Sequence, residues 1–130
     1  MSIRAVLFDL DNTLTHRGRS VAAFSQDLAD TYQSQLNCVD VEQIESIVNR
    51  IDNGGYPLKK YLTHPSIGAS VAYALLQELN WQVPPHLEEL SNFWFAQFGR
   101  SAVAMPEAEQ TLTRLKQAGY KLAIISNGGH

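Results

Sequence analysis

The sequence predicts an α/β fold in which two short parallel strands enclose a mainly helical insert. Two apolar runs rich in strand-forming residues, 3–8 and 121–125, lie near the two ends of the chain. Between them, from about residue 20 to residue 99, apolar side chains recur at three- and four-residue steps, as in amphipathic helices. A strand, a run of helices and then helix, glycine and strand are typical of an α/β core with an insertion.

The first apolar run, from Ile3 to Phe8, is nearly continuous. Such a run favours a strand that is covered on both faces over one that alternates between core and solvent. The polar stretch 15–19 contains a glycine and predicts a loop that leads away from the strand.

The apolar periodicity predicts four helices in the insert. The first begins at Ser20. The second follows Asp40, which forms a capping-box pattern with Gln43, and this helix ends at the glycines of 53–55. The third and fourth cover residues 66–79 and 86–98, with a break at the prolines between them. The segment contains no pattern of a strand.

The fourth helix carries an aromatic cluster: Phe93, Trp94, Phe95 and Phe98. Aromatic side chains bury large areas, so core packing is favoured over a platform for a ligand. Beyond the cluster, Pro106 predicts the start of a fifth helix and Gly119 its end. The second strand follows at 121–125.

Composition excludes several classes of function. The 130 residues carry a net charge of −3 and are 45% hydrophobic, so the chain lacks the basic footprint of a nucleic-acid or membrane-surface protein. Its single cysteine, Cys38, gives neither an internal disulfide nor a thiolate metal site. The first residues are too short and too polar for a signal peptide or a membrane span, which makes a cytoplasmic protein with a small-molecule partner the expectation.

Two carboxylates, Asp9 and Asp11, follow the first strand directly. In an extended backbone they would point to the same side and repel one another unless a cation lies between them, and oxygen ligands suit Mg²⁺. One carboxylate could then attack a phosphorus centre while the other moves a proton. The alternative is an ordinary turn stabilised by Asp and Asn side chains.

The second strand also ends in polar residues, Ser126 and Asn127, followed by two glycines. A hydroxyl, backbone N–H groups and glycine suit the binding of phosphoryl oxygens. In open α/β sheets such groups gather at the carboxyl ends of the strands. A plain Ser-Asn-Gly-Gly turn is the alternative, but both strand ends indicate the same chemistry.

These two strand ends resemble motifs of the haloacid dehalogenase superfamily, in its Mg²⁺-dependent phosphatase branch. Residues 9–14 are similar to the first motif, DxDxT, and Ser126 to the second, a Ser or Thr at a strand end. The helical stretch resembles the cap that many members insert between them. The resemblance implies an incomplete Rossmann-like core of residues 1–18 and 101–130, with a cap of residues 19–100.

By the same resemblance, Asp9 is the nucleophile that forms an aspartyl-phosphate and is also a Mg²⁺ ligand. Asp11 is the acid and base, with its backbone carbonyl on the metal. Thr13 sets the loop geometry beside the substrate, and Ser126 with Asn127 binds the phosphoryl group. An acid at position 11 favours phosphoryl chemistry over carbon–halogen cleavage. The cap residues Arg50, Lys59, Lys60, His64 and Arg100 are candidate contacts to the rest of the substrate.

The superfamily also carries a basic third motif and an acidic fourth motif, both downstream of the second. The chain ends four residues after Ser126, and Lys116 and Lys121 precede that residue. We therefore expect an N-terminal portion with weakened metal binding and activity. The alternative is a non-catalytic binding or assembly module that associates through the free edge of its sheet.

Overall fold

The computed structural model describes residues 2–126 and confirms an α/β fold. Its elements in chain order are β1 (Ala5–Phe8), α1 (Arg17–Thr31), α2 (Val41–Asp52), α3 (Ile67–Glu78), α4 (Leu87–Gln97), α5 (Ala108–Gln117) and β2 (Lys121–Ile124). Short 3₁₀ turns occupy Gln33–Gln35, Asn53–Gly55 and Lys59–Tyr61. Across residues 2–126, no helix combines the length and the apolar character that crossing a membrane requires.

Helix α1 begins three residues earlier than the sequence indicated, so the predicted loop at 15–19 is wrong at its second half. The ring nitrogen Nδ1 of His16 accepts the backbone N–H of Arg19 at 3.0 Å, which caps the helix. Gly18 and Arg19 are exposed, and their polarity belongs to the first turn of α1. A histidine cap is uncommon enough that the periodicity did not indicate it.

Helix α2 begins and ends where the sequence predicted. Asp40 accepts the backbone N–H of Gln43 on its side chain at 3.1 Å, while the Gln43 amide turns away to the carbonyl of Glu78. The capping box is therefore half formed. At the other end Asn53 and Gly54 have positive φ angles of 46° and 68°, which stop the helix.

The hydrophobic core lies among α1–α4, which we call the helical body (residues 17–97). At its centre Phe24 is 1% exposed, and its ring contacts Phe93, Trp94 and Phe98 at centroid distances of 5.6, 5.1 and 5.7 Å. The packing interpretation of the aromatic cluster is confirmed for these three. Phe95 differs, because it is 52% exposed.

The sheet has two parallel strands, paired from Ala5 with Lys121 to Phe8 with Ile124. Leu7 is 59% exposed and Ile124 54% exposed. The expectation of a strand covered on both faces is therefore wrong for the part of the chain between residues 2 and 126. Helix α5 starts at Ala108, two residues after Pro106, and Gly119 closes it with a φ of 91° as predicted.

Candidate functional site

The two polar segments that the sequence singled out both follow the carboxyl ends of the strands, at the same end of the sheet. Phe8 pairs with Ile124, and the N–H of Ile125 donates to the carbonyl of Phe8 at 2.8 Å. Asp9 and Ser126 therefore both follow paired strands at the same, carboxyl-terminal end of the sheet. Asn127, the other predicted phosphoryl contact, lies outside the described residues.

A tight turn follows Asp9. The carbonyl of Leu10 accepts the N–H groups of Leu14 and Thr15, both at 3.0 Å, and the N–H of Asn12 donates to the carbonyl of Thr15 at 2.8 Å. Asn12 has a φ of 58°, a left-handed angle that asparagine tolerates. The N–H of Met105 donates to Leu14 at 2.7 Å and fixes the turn against the chain that returns from the helical body.

Asp9 is exposed at the end of β1, so its carboxylate is open to a ligand. The hydroxyl of Thr13 donates to Oδ2 of Asp9 at 3.3 Å. This contact constrains the direction of the carboxylate, and the role of Thr13 in the loop geometry stays a prediction. The other oxygen, Oδ1, accepts no bond from a side chain or backbone group of residues 2–126.

Asp11 has a partner that sequence reasoning missed. Arg17 donates from Nη1 to Oδ2 of Asp11 at 3.2 Å, and from Nε and Nη2 to the two oxygens of Asp52 at 2.9 and 2.5 Å. Asp52 stands at the C-terminal end of α2, 35 residues from Arg17 in sequence. The positive charge that the two carboxylates required is thus supplied, at Asp11, by an arginine of the first helical turn.

Burial makes this arginine contact strong. Asp52 is fully buried, and it also accepts the N–H of Gly55 at 3.2 Å. Burial by itself lowers the pKa of the Arg17 guanidinium, but the bonds and charge attraction of Asp52, together with Asp11, hold that pKa above its ordinary value. The guanidinium also lies over the ring of Phe98 at 4.5 Å, a cation–π contact. Arg17 therefore stays charged and fixed between the turn and the helical body.

A cleft of about 390 Å³ opens beside Asp11 and Arg17. Its walls are mostly apolar: Pro57, Leu62, Ile67, Trp94, Phe95 and Phe98. Gly68, also in the wall, is required for its shape, because a Cβ there would lie 2.5 Å from Cδ1 of Trp94. The cleft has the size of a small-molecule site.

The five cap residues that the sequence offered as substrate contacts are not among the described residues that line this cleft. Arg50 forms a two-bond ion pair with Glu78 on the surface of the helical body. Nδ1 of His64 contacts the hydroxyl of Thr63 at 2.8 Å. The residues that face Asp11 across the cleft are the aromatic and aliphatic ones.

The oxygen donors at the carboxyl-terminal end of the sheet suit a hard cation such as Mg²⁺. Proteins often hold Mg²⁺ through one or two carboxylates together with water and phosphate. Asp9 has an exposed carboxylate at the end of β1, and the resemblance adds the backbone carbonyl of Asp11. Within residues 2–126, no three His, Cys, Asp or Glu side chains come together as a metal cluster. The donors fit Mg²⁺ in kind, and water and phosphate would have to complete the set.

The chain is similar to one protein family and to two solved structures. The model of a family described as haloacid dehalogenase-like hydrolase matches residues 3–130. A crystal structure described as a dehalogenase is 24% identical and covers 98% of this chain and 53% of its own, with a TM-score of 0.55. Another structure, described as a predicted phosphoglycolate phosphatase from Haemophilus somnus 129pt, is 18% identical and covers 96% of this chain and 52% of its own, with a TM-score of 0.42.

The chain thus spans about half the length of these two structures. None of the curated proteins matches it.

Proposed function

The chain belongs to the haloacid dehalogenase-like hydrolase family, and from that premise we propose that the protein carrying it hydrolyses a small phosphomonoester. The reaction proceeds through an aspartyl-phosphate on Asp9. The observation that carries this proposal is the pair of carboxylates that follows β1, one exposed and directed by Thr13, the other held by Arg17. Ser126 follows β2 at the same end of the sheet, where it binds the phosphoryl group.

In the first step an oxygen of the Asp9 carboxylate forms a bond to phosphorus. The bond between phosphorus and the ester oxygen breaks, and its electron pair stays on that oxygen. In the complex with substrate Asp11 carries a proton on the oxygen that does not contact Arg17, and it donates this proton to the departing oxygen, so the product that leaves is a neutral alcohol.

In the second step the Asp11 carboxylate takes a proton from a water molecule while the water oxygen attacks phosphorus. The bond between phosphorus and Asp9 breaks, which releases inorganic phosphate and restores the Asp9 carboxylate. Asp11 is protonated again, so both residues return to their starting states.

Mg²⁺, when bound to the Asp9 carboxylate and the Asp11 carbonyl, would neutralise charge on the phosphoryl oxygens. The hydroxyl of Ser126 donates a hydrogen bond to one of those oxygens. Arg17 contacts Asp11 rather than the phosphate, and holds the acid and base in one orientation through its two bonds to the buried Asp52. Preorganised groups of this kind contribute more in an enclosed site than they would in water.

The test is the substitution Asp9→Asn in the full-length protein. We expect release of phosphate from an aryl phosphate, measured with Mg²⁺ present, to fall by at least about a thousandfold, because the amide is not a nucleophile. Asp30→Asn is the matched control, since Asp30 is an exposed carboxylate of α1 that accepts a hydrogen bond from the side chain of Gln26, away from the turn that follows β1. Full activity in Asp9→Asn would refute the proposal.

The exposed strands support the other proposal made from the sequence, association through the sheet. Leu7 and Ile124 present apolar surface, and among residues 2–126 the outer edge of each strand pairs with no further strand. Light scattering on the 130-residue chain distinguishes the two proposals. A monomer at micromolar concentration with measurable phosphatase turnover would refute association and leave catalysis standing.

A further inference from the structure

The cleft beside Asp11 is on the side from which the alcohol departs. Asp11 is the group that donates a proton to the ester oxygen in the proposed function, and it lines the cleft. The part of the substrate attached to that oxygen must therefore extend past Asp11 and into the cleft. The lining of the cleft determines which alcohols are accepted.

Polar side chains in the described lining are few, and each of the three already makes at least one hydrogen bond within the protein. Among the described lining residues Arg17 is the only cation, and its Nε and both terminal nitrogens donate to Asp52 and Asp11. The hydroxyl oxygen of Ser66 accepts the N–H of Ala69 at 3.1 Å and caps α3. A carboxylate or a row of sugar hydroxyls placed in this cleft would lose water and gain few partners in return.

The apolar wall, in contrast, has surface that a ligand could cover. Phe95 projects from α4 with half of its surface exposed, and it lines the same cleft as Ile67 and Leu62. Trp94 and Phe98 stack behind Phe95 at 4.4 Å with their planes 16° apart, but Trp94 is only 7% exposed and Arg17 lies over the Phe98 ring, so Phe95 carries the open aromatic surface. Such a wall favours a flat or aliphatic group over a hydrated one.

We propose that the substrate is a phosphomonoester of an apolar alcohol, aromatic or aliphatic, whose hydrocarbon part packs against Phe95 and the aliphatic side chains of the cleft lining. The inference rests on the proposed function, because it needs Asp11 to face the leaving oxygen. It adds the substrate class and identifies Phe95 as a residue that determines specificity.

Two phosphates of primary alcohols test the proposal, since their similar leaving groups keep the chemistry comparable. Kinetics with the full-length protein and Mg²⁺ should give benzyl phosphate a kcat/KM about tenfold or more above that of glucose 6-phosphate. Phe95→Ala should lower kcat/KM for benzyl phosphate by about tenfold and change that for glucose 6-phosphate by less than about twofold. Tyr73→Ala is the matched control, because Tyr73 is an exposed aromatic residue of α3 outside the cleft lining.

Equal or greater activity on glucose 6-phosphate would overturn the substrate class, and so would a Phe95→Ala variant that keeps wild-type activity on benzyl phosphate. Both results leave the proposed function intact. If the wild-type protein hydrolyses neither compound nor an aryl phosphate, or if Asp9→Asn hydrolyses them as well as wild type, the proposed function itself fails and the substrate class falls with it. Circular dichroism of each variant separates loss of folding from loss of recognition.

Discussion

The helical body and the two-stranded sheet differ in how completely each is packed. Phe24, Ile44 and Val48 of the helical body are essentially inaccessible to solvent, whereas Leu7 and Ile124 of the sheet have more than half of their surface exposed. The proposed catalytic carboxylates follow β1 of the sheet. Thr13 of the turn contacts Asp9, whereas Asp11 is oriented by Arg17, a residue of the helical body. The orientation of Asp11 thus derives from the region that does not carry the nucleophile.

The largest expected difference between the two regions is in the free energy of unfolding that is lost when an apolar side chain is removed. Phe24→Ala should lower the free energy of unfolding of the 130-residue chain by about 3–5 kcal/mol, because it leaves a cavity among three aromatic neighbours. Leu7→Ala should cost less than about 1 kcal/mol, since the side chain is mostly exposed. Urea titration measures both, and equal losses would show that the sheet is as well packed as the helical body.

The next effect concerns the ion pair that joins the two regions. Arg17→Met should lower the free energy of unfolding by about 3 kcal/mol, because the fully buried Asp52 loses its partner, and should also lower catalytic activity through Asp11. Adding Asp52→Leu should restore most of the stability but not the activity. The control is Arg50→Met, whose exposed pair with Glu78 is worth less than about 1 kcal/mol. Recovery of full activity in the double variant would contradict the positioning role of Arg17.

The smallest effect is a pH dependence confined to the helical body. Burial, with a contribution from Glu89, raises the pKa of Tyr32 to about 12. The neutral phenol is favoured in the folded state, so its contribution to stability is fully present below pH 10 and is lost as the pH rises through 12. Tyr32→Phe removes this step, and the difference between wild type and variant in urea titrations from pH 9 to pH 12 measures it. A pH-independent difference would contradict the assignment.

The sequence predicted the elements well because each depends on nearby residues. Asp40, Gly119 and the apolar spacing of α1–α4 act within a turn or two of the chain, and the structure places them as expected. The Arg17–Asp52 pair could not be found in this way, since the two residues meet only when α2 packs beside α1. The charge pattern does not distinguish Arg17 from Arg19.

Part of the candidate site could be predicted from the sequence for the same reason. Asp9, Asp11 and Thr13 fall within five residues, and the Thr13–Asp9 bond joins residues four apart. The cleft combines residues of α3 and α4 with Asp11, so its apolar wall appeared in the sequence only as an aromatic cluster. Phe95 is one residue from the buried Trp94, and only the helical phase separates their roles. The division into 1–18 with 101–130 and 19–100 stays a prediction.

Because Trp94 packs against Gly68 in the cleft wall, its fluorescence can report on the cleft. The chain contains two tryptophans, and Trp81 lies away from the cleft, with its indole N–H bonded to the carbonyl of Leu75 at 2.9 Å. With Trp81 replaced by phenylalanine, the ultraviolet emission would come from Trp94 alone, an indole held against a glycine at the cleft wall. Its colour and intensity would then follow the entry of a compound into the cleft without any label and before a bond is broken.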